Sequence, residues 1–286
     1  MYLWSVQLLV PCRSPREGAE ALGAGWSEWS AEARRHLVAM APHVTPEAAP
    51  VAVRRPELPY GWTYEVHAPP REGTPLWDHV EALSEAFFAL RLPPEGLALL
   101  CRLFDGGVAP HVVRFLFAVL PLHLPRRHPR ATALNLPIHP AEPERSSFPL
   151  HGDLFRQRYL LTVFDRVPAE ETGASIFLTS AELVRLLREL EVVPPDVTAR
   201  IATFFDDRAD HYDELVDLLH RPHHPWATAV RLRLRAAQHR IRFAGGEGYV
   251  LDDRRWLHGR EPQRCPVDTG RLCRVVFDTA GTLEGA

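Results

Sequence analysis

Proline limits what this chain can fold into more than any other residue. Of its 286 residues, 27 are proline, and they are spread along the whole sequence. Because proline lacks a backbone N–H and breaks the interior of helices and central strands, we expect many short elements instead of a few long ones. No repeat, low-complexity tract or linker divides the chain, so we expect a single domain over residues 1–286 with a sizeable core.

The hydrophobic pattern changes near residue 131. Before this point apolar residues recur mainly at helical spacing, and the helices predicted there cover 30–40, 77–90 and 94–104. Residues 1–70 are otherwise irregular and proline-rich, apart from a first strand within MYLWSVQLLV. We therefore expect residues 1–130 to form a helical and irregular support.

Residues 131–286 have the pattern of a β-core. Strands are predicted over 131–138, 159–167, 174–178, 231–243, 248–251 and 272–277. A helical block, 180–190 followed by 195–219, interrupts them and is a candidate lid over a substrate. Helices first, and then strands with a helical insertion, favour a mainly β fold, a barrel or sandwich with helices packed outside it.

Composition argues against several classes of protein. The formal charge is −3 and the chain has no lysine, so all 33 basic residues are arginine. This argues against nucleic-acid and membrane partners and excludes Schiff-base and Walker-type lysine chemistry, which leaves a small-molecule substrate as the expected partner. The apolar run 112–124 is shorter than a membrane span of ~20 residues. The four cysteines contain no CxxC pair and favour a reduced cytoplasm.

The 15 histidines raise the question of a metal site. The pattern H-x-D/E, which begins a triad of two histidines and one carboxylate, occurs at His79-Val-Glu81, His151-Gly-Asp153 and His211-Tyr-Asp213. Chance alone gives about two such patterns in this composition, so the pattern by itself is a weak signal.

The expected secondary structure separates the three patterns. His79 and His211 fall in helical patterns, where residues two apart point about 200° from each other and cannot share an ion. His151 and Asp153 enter a strand region, where residues two apart face the same side. Only this pair has the geometry for a shared metal, and His258 in GYVLDDRRWLHGREP is the candidate third ligand.

Simpler interpretations stay open at this point. The cluster His220, His223 and His224 competes for the third position, but it follows a helix in a proline-rich turn, where an exposed loop is the better interpretation. His151 also fits a core histidine and Asp153 a cap of a helix or turn. His258 also fits an exposed loop residue, because arginines lie on both sides of it in the sequence.

Four segments occur in this order: FPLHGDL, RYLLTVFDRVPAEETGASIFLTSAEL, GYVLDDRRWLHGREP and DTGRLCRVVFD. Together they resemble the motifs of iron(II)/2-oxoglutarate-dependent dioxygenases, in particular the clavaminate synthase-like and taurine dioxygenase-like branch. The resemblance covers residues 149–278, somewhat under half the chain. It implies a double-stranded β-helix, or jelly-roll, core that carries a mononuclear non-haem iron site.

The resemblance also implies residue roles. His151, Asp153 and His258 match the iron ligands of the family. A threonine beside the strand that follows H-x-D helps to hold 2-oxoglutarate in these enzymes. Ser175 stands at the best-aligned position here, and Thr172 is the alternative.

Two arginines complete the implied site. In the family, an arginine a short way beyond the distal histidine pairs with the far carboxylate of 2-oxoglutarate, and Arg271 lies at the matching distance. A second arginine a few residues further on binds an anionic substrate group in several members, and Arg274 is its match. Here the two are one residue closer than in the family. On a regular strand they would face opposite sides, so either a bulge intervenes or the roles are redistributed.

The implied activity is oxidation of a small, carboxylate-bearing molecule such as an amino acid or a biosynthetic intermediate. Three ligands on one face leave three iron positions open, two for 2-oxoglutarate and one for O2. Because Asp153 is a carboxylate, where halogenating members have a small residue, hydroxylation or desaturation is favoured over chlorination. The alternatives are a cupin-type or zinc-dependent metalloenzyme with the same ligands, and a non-catalytic jelly-roll protein.

Overall fold

The computed structural model describes residues 9–11, 22, 24–45, 51–54, 63–66, 70–88, 92–104, 108–127, 132–135, 148–154, 157–164, 173–207, 209–261 and 272–278. Within these ranges the helices are α1 Ala31–Met40, α2 Pro75–Phe88, α3 Pro110–Arg127, α4 Ser180–Glu189, α5 Pro195–Asp206, α6 Tyr212–His220 and α7 Ala227–Ala237. The strands are β1 Leu9–Pro11, β2 Trp26–Trp29, β3 Val51–Arg54, β4 Thr63–Val66, β5 Leu97–Leu100, β6 Thr132–Asn135, β7 Phe148–His151, β8 Tyr159–Phe164, β9 Ser175–Thr179, β10 His239–Ile241, β11 Gly248–Asp252, β12 Trp256–Arg260 and β13 Leu272–Asp278.

Two sheets form the centre of the molecule. The larger has the order β1-β2-β5-β11-β8-β13-β6 and the smaller the order β10-β9-β12-β7, while β3 and β4 form a separate pair. Neighbouring strands are antiparallel except β2 and β5, which are parallel. From β6 onward the chain passes between the sheets: β6, β8, β11 and β13 lie in the larger and β7, β9, β10 and β12 in the smaller. The result is a sandwich with mixed helices and strands.

Three apolar clusters hold the layers together. The inner faces of the two sheets share one cluster, in which Phe177 of β9 meets Tyr249 of β11 with ring centroids 5.0 Å apart. Helices α1–α3 cover the outer face of the larger sheet, and α4–α7 cover the outer face of the smaller one. The central strand β8, YLLTVF, is therefore buried along its whole length, as expected for a strand covered on both faces.

The predicted helix over 94–104 is wrong, because its centre is strand β5. The residues LALL are all buried and pair with β11 on one side and β2 on the other. A uniformly apolar run of this length has no period that separates a strand from a helix. Gly96, at φ +79°, turns the chain into the strand directly before it begins.

The predicted strand over 231–243 is also wrong over most of its length. Helix α7 occupies its first part, and only β10 at its end is a strand. The sequence RLRLR alternates as a strand does, but the helix buries Val230 and Leu234, four residues apart, and leaves Leu232 62% exposed. The alternation of arginine and leucine therefore does not indicate a strand, because the arginines lie on the solvent-facing side of a helix.

The N-terminal half is more than a support. Strands β1, β2 and β5 extend the larger sheet, so residues that look irregular in sequence complete the sandwich. Residues 1–8 of the predicted first strand lie outside the described residues, and 9–11 form β1. The predicted helices over 30–40, 77–90 and 180–190 are confirmed as α1, α2 and α4. Among the helices that the structure describes, none has the length and apolar character needed to cross a membrane.

Candidate metal centre

Three buried side chains meet where β7 ends against β12. His151 is the last residue of β7, Asp153 follows in the loop, and His258 of β12 is the cross-strand partner of His151. One ligand atom from each lies within 4.8 Å of the others. The structure thus brings together the pair and the distant histidine that the sequence analysis selected, in the donor set that suits a divalent transition metal.

Close packing of the two strands makes this approach possible. Gly259, next to His258, faces the backbone of β7, and a Cβ atom there would lie 2.6 Å from the carbonyl oxygen of Phe148. The pairing of β12 with β7 also shifts register between His258 and Arg260, as in a β-bulge. Glycine at position 259 therefore lets β7 carry His151 up to its partner.

Hydrogen bonds define which ring nitrogens are available. His151 Nδ1 donates to the carbonyl oxygen of Pro149 over 2.7 Å, which leaves a lone pair on Nε2. His258 Nε2 accepts from Arg274 over 2.9 Å, so its proton lies on Nδ1, 3.8 Å from Asp253. Burial lowers the pKa of His258 well below its usual value and keeps the ring neutral. Both rings therefore turn Nε2 toward the centre, and His258 does so in the neutral form that binds metals.

Asp153 lies between the two rings. Its Oδ1 is 3.4 Å from Nε2 of His151, and its Oδ2 is 3.7 Å from Nε2 of His258. Burial by itself raises the pKa of Asp153, but Arg274, together with the two neighbouring histidines, outweighs burial and holds the pKa well below the usual range. Oδ1 is buried and has no hydrogen-bond partner among the residues that the structure describes. A buried, ionised carboxylate whose two oxygens each face Nε2 of a histidine is costly by itself, and it fits a cation that would bind all three side chains.

Arg274 reaches this centre from the opposite sheet. Its Nη1 donates to Oδ2 of Asp153 over 2.8 Å and its Nη2 donates to Nε2 of His258 over 2.9 Å. The side chain is buried and balances the charge of Asp153. Because these two acceptor atoms are also candidate metal ligands, a bound cation and this guanidinium position compete for them.

Asp253 supports the site from behind and was not singled out in the sequence. Its carboxylate accepts the backbone N–H groups of Asp153, over 3.2 Å, and of Leu154, over 2.5 Å. Leu154 has φ +47°, a left-handed conformation that is unfavourable for a leucine, so these bonds hold the loop in place. Burial, and then the charge of Asp153, raise the pKa of Asp253 to about 8. Its Oδ1 also lies 3.8 Å from Nδ1 of His258, beyond hydrogen-bond distance.

Two tyrosines border the centre and were also missed. Tyr212, at the start of α6, places its ring edge-on to His151 at 5.5 Å between centroids. Tyr249 of β11 lies 6.3 Å from the ring of His258. Burial raises the pKa of both phenols, so they stay protonated and able to donate hydrogen bonds. Their spacing in the sequence carries no signal, because each reaches the centre from an element far away along the chain.

The residues expected to hold 2-oxoglutarate are only partly described. Ser175 is buried in β9 and lies two residues before Phe177, the cross-strand partner of His258, so it faces the same interior further along the strands. Thr172 and Arg271 lie outside the described residues. Arg274 faces into the sandwich and contacts two of the three candidate ligands directly.

The other two H-x-D/E patterns do not form metal sites. His79 lies in α2, where its Nδ1 is 3.1 Å from Nδ1 of His36. His211 directly precedes α6, and its Nε2 pairs with Asp207 over 3.1 Å. Among the described residues, the groups of side chains that could hold an ion include neither of these histidines.

A second group of possible ligands lies on the surface. Oδ2 of Asp217 is 3.0 Å from Nε2 of His224 and 3.6 Å from Nε2 of His223. His223 is exposed, in agreement with the interpretation of this segment as a surface turn. His220 is separate, because its Nε2 donates to the carbonyl oxygen of Leu150 over 2.6 Å.

Comparison with known proteins gives the following result. No protein-family model and no curated protein matches the chain. Among solved structures, asparagine oxygenase AsnO is similar with a TM-score of 0.43 and 12% identity, over 88% of this chain and 92% of that one. The non-haem iron oxygenase OrfP in complex with iron has a TM-score of 0.41 and 12% identity, over 90% and 94% of the two chains. PvcB from Pseudomonas aeruginosa has a TM-score of 0.35 and 17% identity, over 65% and 76%.

These proteins are oxygenases, and another PvcB structure is described as an iron, α-ketoglutarate-dependent oxygenase from an isonitrile synthetic pathway. The class is the one that the sequence motifs resemble. Since each TM-score is below 0.5 and each identity is low, the likeness by itself assigns neither a fold nor an activity to this chain.

Proposed function

We propose that this chain is an iron(II)- and 2-oxoglutarate-dependent oxygenase with a double-stranded β-helix core. His151, Asp153 and His258 are the proposed iron ligands. The observation that carries this proposal is the buried Oδ1 of Asp153, which lies 3.4 Å from Nε2 of His151 and has no hydrogen-bond partner within the described part of the chain. The passage of β6–β13 back and forth between two antiparallel sheets supports the proposed jelly-roll topology.

Arg274 is the proposed anchor for the keto acid. When bound, iron and 2-oxoglutarate would supply the oxidising power to attack an unactivated C–H bond with O2. A cation on Nε2 of His258 and Oδ1 of Asp153 would displace Arg274 from His258, and the freed N–H group of the guanidinium then needs another acceptor. A carboxylate matches the two parallel N–H groups of this fork. Arg271, Thr172 and Ser175 stay as predicted contacts of the cosubstrate or substrate.

The protein itself would position the substrate and exclude water. Tyr212 and Tyr249 border the centre with protonated hydroxyl groups, which can donate to a carboxylate or an amide of the substrate. Helices α4–α6 pack on the smaller sheet through an apolar cluster, and Tyr212 is the residue that they bring to the triad within the described part of the chain. We propose that the start of α6 acts as the lid of the site, over a small carboxylate-bearing substrate in a cytoplasmic setting.

Turnover of 2-oxoglutarate tests this function. Protein loaded with iron(II) and given O2 and 2-oxoglutarate labelled at C1 is expected to release labelled CO2, with a larger yield when a true substrate is present. His151→Ala and Asp153→Ala are expected to abolish release. His211→Ala, which alters another H-x-D pattern, is expected to retain it. Label release that is equal in all variants, or a protein that retains zinc and releases none, would favour a zinc metalloenzyme or a non-catalytic protein.

A further inference from the structure

The second group of possible metal ligands lies at the end of helix α6 and contains none of the proposed iron ligands. Asp217 is in the last turn of α6, and His223 and His224 follow in the turn before α7. Nε2 of both histidines faces the same carboxylate oxygen, Oδ2 of Asp217, over 3.6 Å from His223 and 3.0 Å from His224. One ligand atom from each of the three lies within 4.8 Å of the others. Two imidazole nitrogens and a carboxylate oxygen form a donor set that suits zinc(II).

The spacing of these atoms fits one ion between them. Bonds from zinc to nitrogen and oxygen are about 2.0–2.1 Å long, so two ligand atoms on a tetrahedral ion lie roughly 3.3 Å apart. The two distances from Oδ2 of Asp217 lie on either side of this value. The shorter one is also a hydrogen bond from His224, whose proton a cation would replace. Because the side chain of His223 is exposed, a small rotation of its ring brings Nε2 to the ion without loss of packing.

The ring of His224 is held in position by its surroundings. It stacks on Trp226, with ring centroids 4.5 Å apart and an angle of 17° between the planes. Trp226 is buried, and its Nε1 donates to the carbonyl oxygen of Leu218 in α6 over 2.9 Å. In the turn, the N–H of His224 donates to the carbonyl oxygen of Arg221, and the N–H of Ala227 donates to that of His224. The turn therefore presents this ring to α6 before an ion binds, which lowers the entropic cost of binding.

The charge at this position favours a cation. Asp217 places a carboxylate in the last turn of α6, where the carbonyl groups at the helix end already carry partial negative charge. Arg221 approaches the carboxylate, with its Nε 3.8 Å from Oδ1. The two side chains are 62% and 41% exposed, so water screens this ion pair and it contributes little. A divalent ion would offset the carboxylate and the negative end of the helix together.

We propose that Asp217, His223 and His224 bind a zinc(II) ion, with water in the fourth position, and that the ion links α6 to the turn before α7. In the same helix, Nε2 of His220 donates to the carbonyl oxygen of Leu150 in β7. Zinc would therefore stabilise the end of the helix that packs against this strand. The proposal does not depend on the oxygenase function, because the two ligand sets share no residue.

Titration of chelator-treated protein with zinc(II) tests this proposal. Isothermal titration is expected to give two equivalents in the wild type, one at His151, Asp153 and His258 and one at the end of α6. His224→Gln and Asp217→Asn, which keep side chains of similar size, are each expected to lose one equivalent. His211→Gln, which alters a histidine directly before α6 that pairs with Asp207, is expected to retain both. Equal zinc binding by the wild type, His224→Gln and Asp217→Asn would overturn the proposal.

A variant without the proposed iron site isolates the second ion. His151→Ala is expected to retain one equivalent of zinc(II) and a rise in Tm when zinc(II) is added. The double variant His151→Ala/His224→Gln is expected to lose both the equivalent and the rise. Loss of all zinc binding in His151→Ala, or an equal rise in Tm in the single and double variants, would overturn the proposal. Zinc binding that persists in His151→Ala and disappears in the double variant would support it even if the oxygenase function failed its own test.

Discussion

His151 and His258 are direct cross-strand partners with ring centroids 4.6 Å apart, although helices α4–α7 separate them along the chain. The contact between β7 and β12 is therefore the structural basis of the candidate metal centre. What holds these two strands and the loop after β7 in place determines whether the three ligand atoms stay together. The predictions below test that arrangement and the charges around it.

Asp253→Ala is expected to weaken metal binding without altering a candidate ligand. The substitution leaves the buried N–H groups of Asp153 and Leu154 without an acceptor, at a cost of about 1–3 kcal/mol. Loss of such a supporting carboxylate typically lowers metal affinity ~10–100-fold. A competition titration of cobalt(II) measures the affinity, and Asp213→Ala, an exposed acid of α6, is the control. Equal affinity in both variants would show that Asp253 does not position the ligands.

Arg274→Met is expected to destabilise the metal-free protein. It is also expected to increase the stabilisation that a bound divalent metal provides. The substitution leaves the buried carboxylate of Asp153 unbalanced, which costs about 3–5 kcal/mol. A divalent cation would replace the lost charge, so the rise in Tm on adding zinc(II) or cobalt(II) is expected to be larger than for the wild type. The affinity for 2-oxoglutarate is expected to fall at the same time. An unaltered metal-free Tm would contradict the described ion pair.

Protonation of His220 is expected to limit stability in acid. Burial lowers the pKa of His220 from 6.5 to about 4, so between these values the unfolded chain binds the proton and the folded protein does not. The contribution of this residue to stability is therefore lost as the pH falls from 6.5 to about 4. Urea unfolding in chelator at several pH values is expected to show a flatter acid limb for His220→Gln, which retains a donor for Leu150. If the stability of the wild type and of His220→Gln fell equally with decreasing pH, protonation of His220 would not be the cause of the loss in acid.

Two leucines of α7 distinguish the helix from the strand that its sequence imitates. Leu234→Ala is expected to cost about 2–5 kcal/mol because the side chain is buried in the cluster beneath the helix. Leu232→Ala is expected to change stability by less than about 0.5 kcal/mol because the side chain is exposed. Urea unfolding measures both. Similar losses of unfolding free energy in the two variants would show that both leucines are buried, as in a strand, where residues two apart face the same side.

The sequence was most informative where one local pattern corresponds to one structure. His151 and Asp153 could be paired because both lie where a strand ends, and His258 could be added through an ordered set of motifs. Residues 94–104 and 231–243 were misassigned because a short apolar run and an alternation of arginine with leucine fit more than one period. Tertiary burial decided between the alternatives in each case.

The support of the centre could not be derived from the sequence. Asp253 acts through backbone groups of the loop after β7, and Tyr212 and Tyr249 approach from a helix and from the other sheet. Such contacts depend on packing between distant segments and leave no local pattern.

The most direct test of the central claim is an anaerobic optical titration. Iron(II) and then 2-oxoglutarate are added to metal-free protein, and the visible charge-transfer band of a keto acid chelated to iron(II) is measured. We expect a band in the wild type and in His211→Ala, no band in His151→Ala, and a weaker band in Arg274→Met. Absence of the band in the wild type at saturating iron(II) and 2-oxoglutarate would contradict the proposed oxygenase.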